Sequence, residues 1–152
     1  MSAAKPGFVS APDPDNPGWQ TWALTDPTRF NTWMFGKLIV RKDADGKARL
    51  RMFPQHHHTN LQNMLHGGTV LSLIDVGLFA CSRMLGIIEA GTAVTLDLST
   101  QFIGGGRGDM PCDAVTELLK ETRRLVFLRG VVEQEGELIA AFSGTIRKPT
   151  AR

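Results

Sequence analysis

Residues 65–81 read LHGGTVLSLIDVGLFAC, and from Thr69 onward this stretch is almost wholly apolar. It predicts one long helix that continues to about Leu85, just before a glycine that can cap it. Only Ser72 and Asp75 interrupt the apolar residues in the middle of the stretch. So small a polar face is typical of a helix that is buried on nearly every side.

Six strand-like segments flank this helix in the sequence. Two precede it, and the Asp-Gly between them is a strong hairpin signal. Four follow it, separated by turn signals and not by helices. The segments are residues 36–41, 47–53, 93–102, 112–119, 125–132 and 138–146. The order predicts the α+β class, with the long helix wrapped by a roughly six-stranded antiparallel sheet, and argues against a doubly wound parallel sheet.

The chain has 152 residues, which suffice for one domain and are few for two. Residues 1–17 are rich in Pro, Ala, Ser and Asp, and this composition predicts a flexible N-terminal tail. Residues 18–152 are expected to form a single domain. Aromatic residues recur at mixed helical spacings over residues 19–35, which predicts one or two short helices that dock their rings on that domain.

The net charge of +2 comes from scattered basic residues, so no broad basic face for nucleic acid is expected. No apolar run reaches the ~20 residues that span a bilayer, and the start of the chain lacks the apolar core of a secretory signal. These features favour a cytoplasmic protein without nucleic-acid or membrane partners. Cys81 and Cys112 have no metal-ligand spacing and are expected to be reduced core residues.

Two short motifs have no clear link to the helix. Three histidines occupy residues 56–58, but adjacent side chains alternate in direction and no second ligand cluster has suitable spacing, so we expect a surface loop and no metal site. Residues 104–108 read GGGRG without the Gly-Lys-Ser/Thr ending of a phosphate-binding loop. They are expected to form a flexible turn.

Asp75 is the unexpected residue of the apolar helix, because a buried charge is costly unless it is paired or hydrogen-bonded. Pairing with Arg83 or with a backbone group is one interpretation. Helical spacing also places Asp75 on one face with Gly68 and Ser72. Free N–H groups and the positive dipole end at the helix start favour an anion or a polarised carbonyl oxygen, as in an oxyanion hole.

The spacing of Gly67 and Asp75 leads to a prediction about assembly. Eight residues of helix span about 12 Å, whereas an oxyanion donor and a base or nucleophile must both lie about 3 Å from one reacting group. One helix cannot supply both groups to one site, but two helices packed antiparallel can. If these residues act together, the protein is at least a twofold dimer with two equivalent sites.

The run NLQNMLHGG over residues 60–68, followed by Asp75 and by VTLDL over residues 94–98, resembles the signature of hotdog-fold acyl-CoA thioesterases of the 4-hydroxybenzoyl-CoA and phenylacetate-pathway (PaaI-like) type. The resemblance covers roughly residues 30–147. It implies the hotdog fold, a long central helix wrapped by an antiparallel sheet. It also implies homodimers with composite sites, which often pair into homotetramers.

The resemblance implies a role for each matching residue. Asp75 falls at the position of the catalytic carboxylate, which acts as general base on water or as nucleophile. The Gly67 N–H falls where the family polarises the thioester carbonyl. Asn60 matches a polar residue that positions the water or the thioester, and Thr95 a hydroxyl that hydrogen-bonds near the carboxylate. His66 is expected to orient the loop that enters the helix.

The implied substrate is a small or aromatic acyl-CoA, with CoA as part of the substrate and no separate cofactor. The family's CoA contacts come from two turns, here near residues 104–107 and 120–124. The candidate CoA-binding residues are therefore Gly68, Gly105, Arg107, Arg123 and Arg124. For the arginines, solvated surface charge is an equally simple interpretation.

Many relatives have Gly where this chain has Asn63, and Asn tolerates the left-handed conformation better than most residues. Two other functions stay open from the sequence. One is a hotdog hydratase or dehydratase, which pairs a catalytic His with an acidic residue. The other is a non-catalytic acyl-CoA-binding module with the same fold.

Overall fold

The predicted long helix is present at the centre of the domain. The computed structural model describes residues 6–150. The elements, in chain order, are β1 (Phe8–Val9), β2 (Gln20–Thr21), β3 (Ala23–Leu24), α1 (Phe30–Phe35), β4 (Leu38–Lys42), β5 (Lys47–Met52), a 3-10 helix (His56–His58), α2 (Gly67–Met84), β6 (Val94–Phe102), β7 (Cys112–Glu121), β8 (Leu125–Gln134) and β9 (Glu137–Arg147).

The main sheet has seven strands in the order β2-β4-β5-β7-β8-β9-β6, and every neighbouring pair is antiparallel. All six predicted strands are present, and the seventh is the two-residue β2. The predicted hairpin turn has Asp45 and Gly46 at φ 61° and 70°, the positive values that a tight hairpin turn requires. The α+β class is therefore confirmed.

α2 packs its apolar side chains against strands β4 to β9. By length and composition alone, this 18-residue helix is apolar enough to cross a membrane. A core helix passes the same test, and 56 % of α2 is buried inside the domain. The apolar run of the sequence is thus accounted for by the core.

The prediction that α2 is buried on nearly every side is wrong for the single chain. Leu71 is 38 % exposed, Gly68 is exposed, and Ser72 and Asp75 are half-buried on the same side. The sheet wraps only part of the helix and leaves this face open. Composition does not distinguish an apolar face that is covered by the sheet from one that is left free.

The aromatic segment over residues 19–35 is only partly helical. α1 (Phe30–Phe35) is the expected short helix, but Trp22 lies between the two short strands β2 and β3. The Trp22 N–H donates to the Leu38 carbonyl at 2.9 Å. Pairing with β4 and β1 therefore satisfies backbone groups that a short helix would have satisfied internally.

Residues 6–17, for which composition predicted a flexible tail, make specific contacts with the domain. β1 pairs with β3, and the buried Asp13 carboxylate accepts hydrogen bonds from Lys37 at 2.9 Å and Asn16 at 2.8 Å. The Lys37 ammonium, helped by the Asn16 amide, holds the pKa of Asp13 below its ordinary value. Residues 1–5 lie outside the described residues, and the division into tail and domain at residue 17 stays a prediction.

Trp19 attaches the part of the chain that follows residue 17 to the sheet. Its ring contacts the guanidinium groups of Arg41 and Arg51, which lie 4.5 and 4.6 Å from the ring centroid. Arg51 is itself held by two hydrogen bonds to Asp113, at 2.7 and 2.8 Å. These cation–π contacts attach the N-terminal part of the chain to the outer face of the sheet.

Candidate active site

Asp75 lies on the open face of α2 and is hydrogen-bonded through one oxygen. Its Oδ1 accepts from Thr95 Oγ1 at 2.7 Å. Its Oδ2 has no donor among the described residues. The sequence interpretation in which Arg83 pairs with Asp75 is wrong, because the Arg83 guanidinium lies 5.1 Å from the ring centroid of Phe8. The carboxylate is thus oriented by one neighbour and keeps one oxygen free.

Thr95 reaches Asp75 from a distorted part of β6. The register between β6 and β9 shifts between Thr95 and Asp97, so Leu96 is an extra residue in the strand. Such a bulge bends a strand locally and redirects its side chains, and bulges are common beside active sites. This one lies next to the residue that contacts the helix carboxylate.

The start of α2 leaves one N–H group without a partner. The Gly68 N–H donates to His66 Nδ1 at 2.8 Å, and the N–H groups of Thr69 and Val70 lie 2.9 and 3.1 Å from the His66 carbonyl oxygen. Of these first four amides, only that of Gly67 has no acceptor within the described part of the chain. A free donor at the positive end of an 18-residue helix is suited to stabilise an oxyanion.

His66 caps the helix with its side chain. Because Nδ1 accepts the Gly68 N–H, the neutral ring carries its proton on Nε2. A Cβ on Gly68 would lie 3.1 Å from that same Nδ1, so glycine keeps the cap geometry open. The contact supports an orienting role for His66 and offers nothing specific for the hydratase interpretation.

Asn60 shapes the loop before the helix. Its Oδ1 accepts from the N–H groups of Gln62 and Met64 at 2.9 and 3.2 Å, and its own N–H donates to the Met64 carbonyl at 2.8 Å. Asn63 has φ 58°, the left-handed conformation that its position suggested. The side-chain nitrogen of Asn60, Nδ2, has no acceptor among residues 6–150, so it is available to a ligand.

The glycines of residues 104–108 serve close packing. The Leu65 N–H donates to the Gly106 carbonyl at 2.7 Å. A Cβ on Gly105 would collide with Met64 Cε, and one on Gly108 would lie 2.5 Å from Thr59 Cγ2. The segment is a close-packed connection between β6 and β7 that has turn geometry only at Gly108 and Asp109, so the predicted flexible turn over residues 104–108 is not what its glycines form. They allow it to pack against the loop that leads into α2.

The three arginines that are candidates for CoA binding differ in whether they are already paired with a carboxylate. The Arg107 guanidinium makes two hydrogen bonds to Asp109, at 2.9 and 2.7 Å, beside a cleft of about 450 Å³. Arg123 and Arg124 lie exposed in the turn between β7 and β8 and form no ion pair with a described residue. Of the three candidate arginines, these two are free for an additional anionic ligand.

His58 departs from the expected surface loop because it is buried, whereas His56 and His57 are exposed as that loop requires. His58 is fully buried, and its Nε2 lies 2.6 Å from the Met34 carbonyl oxygen, with His57 Nε2 at 2.9 Å from the same atom. Burial lowers the pKa of His58 and keeps its ring neutral. Across residues 6–150, no group of three or more His, Cys, Asp or Glu side chains is arranged to hold a metal ion.

Both cysteines are buried as free thiols. Burial raises the pKa of Cys81 and of Cys112 to about 12. At neutral pH both are protonated and unreactive, which agrees with their predicted place in the core.

A pocket of about 600 Å³ opens beside Asp75. Phe79, one turn further along α2 than Asp75, also lines it. Other parts of its wall come from the N-terminal segment, which the sequence did not connect with the site. Trp22 stood out as an aromatic residue, but nothing in the sequence around Phe8 pointed to a pocket. The N-terminal lining residues include Phe8, Trp22 and Leu24.

The model of the Thioesterase superfamily matches residues 62–141. A search of curated protein sequences finds no significant match. Among solved structures, the chain is similar to a mutant of the phenylacetic acid degradation protein PaaI from Thermus thermophilus, with 26 % identity and a TM-score of 0.62 over 73 % of this chain and 92 % of that one.

Two further structures share the fold. The PaaI protein of the E. coli phenylacetic acid degradation operon has 17 % identity and a TM-score of 0.68 over 82 % of this chain and 87 % of that one. A hypothetical thioesterase of Streptococcus pneumoniae, solved with coenzyme A, has 21 % identity and a TM-score of 0.66 over 78 % of this chain and 90 % of that one.

The family match spans more than half of the chain and includes α2, Asp75 and Thr95. The long helix, the antiparallel sheet around it and the carboxylate on its open face all agree with that match. The chain therefore belongs to the thioesterase superfamily, as a PaaI-like thioester hydrolase with the hotdog fold.

Proposed function

We propose that the protein is an acyl-CoA thioesterase that hydrolyses a small or aromatic acyl-CoA to the free acid and CoA. The observation that carries the proposal is the pair of free groups on α2, the Asp75 Oδ2 and the Gly67 N–H. They lie about 12 Å apart along one helix, too far to serve one thioester. Each active site is therefore shared between two subunits of a homodimer.

The unpaired edge of β6 is the proposed dimer surface. This nine-residue strand ends the sheet and pairs only with β9 among the described strands. Val94, Leu96 and Phe102 on it are each about half exposed, and Leu71 adds an exposed apolar side chain from α2. A long apolar edge is a ready template for another strand. In the proposed dimer, β6 of a second copy pairs antiparallel with this edge about a twofold axis.

Antiparallel pairing of β6 with its copy also completes the site. Thr95 lies near the start of β6 and contacts Asp75. Phe102 ends β6, and its ring lies beside Gly67, where an added Cβ would be 3.5 Å from Cζ. Twofold pairing sets the start of one strand against the end of the other. This pairing thus brings Asp75 towards Gly67 of the partner subunit at each of the two equivalent sites.

In the proposed reaction the Gly67 N–H of the partner subunit polarises the thioester carbonyl. Asp75 then either removes a proton from an attacking water or attacks the carbonyl carbon itself through Oδ2. The tetrahedral oxyanion is stabilised at the helix start, and its collapse releases the CoA thiolate. If Asp75 acted as the base, it returns its proton to the thiolate and the free acid is formed directly. If Asp75 was the nucleophile, a water then hydrolyses the acyl-Asp75 anhydride, which gives the free acid and restores the carboxylate. CoA is part of the substrate, and the reaction uses no further cofactor.

Other groups have supporting roles in the proposal. Asn60 offers its free amide to the water or the thioester, and the unpaired Arg123 and Arg124 bind CoA phosphates. Two dimers associate into a tetramer, for which the exposed Leu118 and Leu119 of β7 provide an apolar surface. A cytoplasmic location agrees with two buried thiols that are not oxidised to a disulfide.

The proposal is tested by steady-state thiol release from acetyl-, hexanoyl-, benzoyl- and phenylacetyl-CoA. We expect saturable turnover of at least one of them by a protein that elutes as a dimer or tetramer. A protein that binds CoA tightly yet releases no thiol from any acyl-CoA would instead be a non-catalytic binding module.

Replacing Thr95 with Val is expected to lower kcat about 10-fold or more, because the Asp75 carboxylate loses the hydrogen bond that orients it. KM should change little, since Thr95 acts through Asp75 and not through the substrate. Thr95→Ser keeps the hydroxyl and should restore most of the activity. Equal kcat for the Val and Ser variants would show that the hydrogen bond has no part in turnover.

A further inference from the structure

His58 is fully buried, although the two histidines before it in the 3-10 helix are exposed. It lies before residue 62, where the match to the family begins. We propose that His58 is a positioning residue, whose contacts hold the start of α2 and with it the Gly67 N–H in the place that oxyanion stabilisation requires. The inference rests on the proposed function, because it assigns a further residue to the oxyanion donor of that site.

The ring of His58 joins the end of α1 to the 3-10 helix that precedes α2. Its Nδ1 accepts from the Gln55 N–H at 2.8 Å, and its Nε2 lies 2.6 Å from the Met34 carbonyl oxygen. The Phe35 ring stacks on it, with centroids 5.8 Å apart and planes at 26°. A carbonyl oxygen can only accept, so Nε2 carries the proton and the ring is the neutral tautomer. Both hydrogen bonds form only in this place and in this protonation state.

The backbone carbonyl of His58 contacts the start of α2 on both sides of Gly67. It accepts from the His66 N–H at 2.9 Å and from the Thr69 hydroxyl at 2.9 Å. Thr69 is only 2 % exposed, and a hydrogen bond that is shielded from water is electrostatically stronger than one in water. The ring therefore fixes a carbonyl that two residues flanking Gly67 share.

Stabilisation of an oxyanion is sensitive to small displacements of its donor. A misplacement of about 1 Å can cost a factor of about 10² in rate, even when its cause lies far from the reacting atoms. The Gly67 N–H has no acceptor among the described residues, so its position depends on His66 and Thr69 and thus on the His58 carbonyl. Loss of the ring contacts should lower kcat and change KM little, since the donor acts mainly on the transition state.

Protonation of the His58 ring would break this link. With a proton on both nitrogens, Nδ1 would face the Gln55 N–H as a second donor, and that hydrogen bond would be lost. Burial lowers the pKa of His58, the hydrogen bond to the Met34 carbonyl partly opposes this, and the neighbouring His57 lowers the pKa further. His57, with its ring centroid 4.0 Å away, is the titratable group that faces the ring within the described part of the chain. The ring is therefore neutral at neutral pH, and the link breaks only in acid, below the ordinary pKa of histidine.

The first test compares kcat and KM for the best acyl-CoA substrate in the wild type, His58→Leu, His58→Gln and His56→Leu. Leu cannot form either hydrogen bond and should lower kcat about 10-fold or more, with KM changed less than about 2-fold. Gln places an amide N–H near the Met34 carbonyl and should restore most of kcat. His56→Leu is the matched control, the same change at an exposed residue of the same 3-10 helix, and should behave as the wild type. Full turnover by His58→Leu would overturn the inference.

Coupling to Gly67 separates positioning from a general loss of stability. The donor is absent in Gly67→Pro, so adding His58→Leu to that variant should lower kcat less than about 2-fold further. Losses that multiply in the double variant would show that His58 does not act through the Gly67 N–H, which overturns the inference. If His58→Leu is poorly folded, His58→Asn takes its place and should show the same coupling. Asn keeps an acceptor for the Gln55 N–H but is too short to reach Met34.

Nuclear magnetic resonance separates this inference from the proposed function, because it needs no turnover. In protein with isotope-labelled glycine, the backbone N–H signal of Gly67 is assigned by its loss in Gly67→Ala. It should shift on acidification with the same midpoint as the His58 ring, and the shift should be absent in His58→Gln. If the wild type releases no thiol from any acyl-CoA, the proposed function fails, while that shift still supports the link from His58 to Gly67. A Gly67 signal that does not follow the titration of His58 overturns the inference.

Discussion

The Asp75→Asn protein is expected to hydrolyse its best acyl-CoA substrate with a kcat roughly 10²–10⁴-fold below that of the wild type. Asn has nearly the same shape and keeps an oxygen that accepts the Thr95 hydroxyl. It cannot take a proton from water or attack a thioester as a carboxylate does. Thiol release under substrate saturation measures the effect directly.

Asp45→Asn is the matched control for that variant. It makes the same chemical change at an exposed hairpin turn, where φ is 61° and Asn is well tolerated. Its kcat should equal that of the wild type. If Asp75→Asn retained full turnover while folding normally, Asp75 would be a structural residue and the proposed mechanism would be wrong.

Gly67→Pro is the second large effect we expect, a loss of roughly 10²–10³-fold in kcat, which is typical when one oxyanion donor is removed. Gly67 is the first residue of α2, a position where proline fits a helix well. His66 before it has ψ 140°, which suits a residue that precedes proline. The substitution therefore removes the N–H while the helix is retained.

Gly67→Ala separates the N–H group from the space around it. The added Cβ lies 3.5 Å from Phe102 Cζ, an ordinary van der Waals contact, and the N–H is kept. We expect kcat within a few-fold of the wild type for Ala and the large loss only for Pro. Similar losses in both variants would indicate that bulk at residue 67 matters and that the N–H does not.

The parts of this fold that the sequence predicted are those with strong local signals. The apolar run from Thr69 specified α2, and Asp45-Gly46 between alternating strands specified the hairpin. Each of the six main strands is bounded by turn residues that act over only a few positions. The position of Asp75 on one helix face also followed from helical periodicity alone.

The features that the sequence did not predict depend on contacts between distant segments. The N-terminal residues 6–17 carry little apolar material, yet Asp13 and Lys37 tie them down across more than twenty positions. No local pattern connects Phe8 with a pocket beside Asp75. His58 looked like a loop residue, but the Met34 carbonyl gives it a buried hydrogen-bond partner.

The prediction that α2 is buried on nearly every side failed for a different reason. An apolar side chain such as Leu71 reads the same in the sequence whether the sheet or a second subunit covers it. The spacing of Gly67 and Asp75 predicted a second subunit, and the unpaired edge of β6 is the surface on which we propose that it binds.

If each active site is shared between two subunits, a mixed dimer of two inactive variants should regain activity. Asp75→Asn and Gly67→Pro subunits carrying different affinity tags are co-expressed, and the mixed dimer is purified through both tags. One of its two sites then combines an intact Asp75 with an intact Gly67, so we expect about half of the wild-type kcat from two inactive parents. A mixed dimer as inactive as its parents would contradict it.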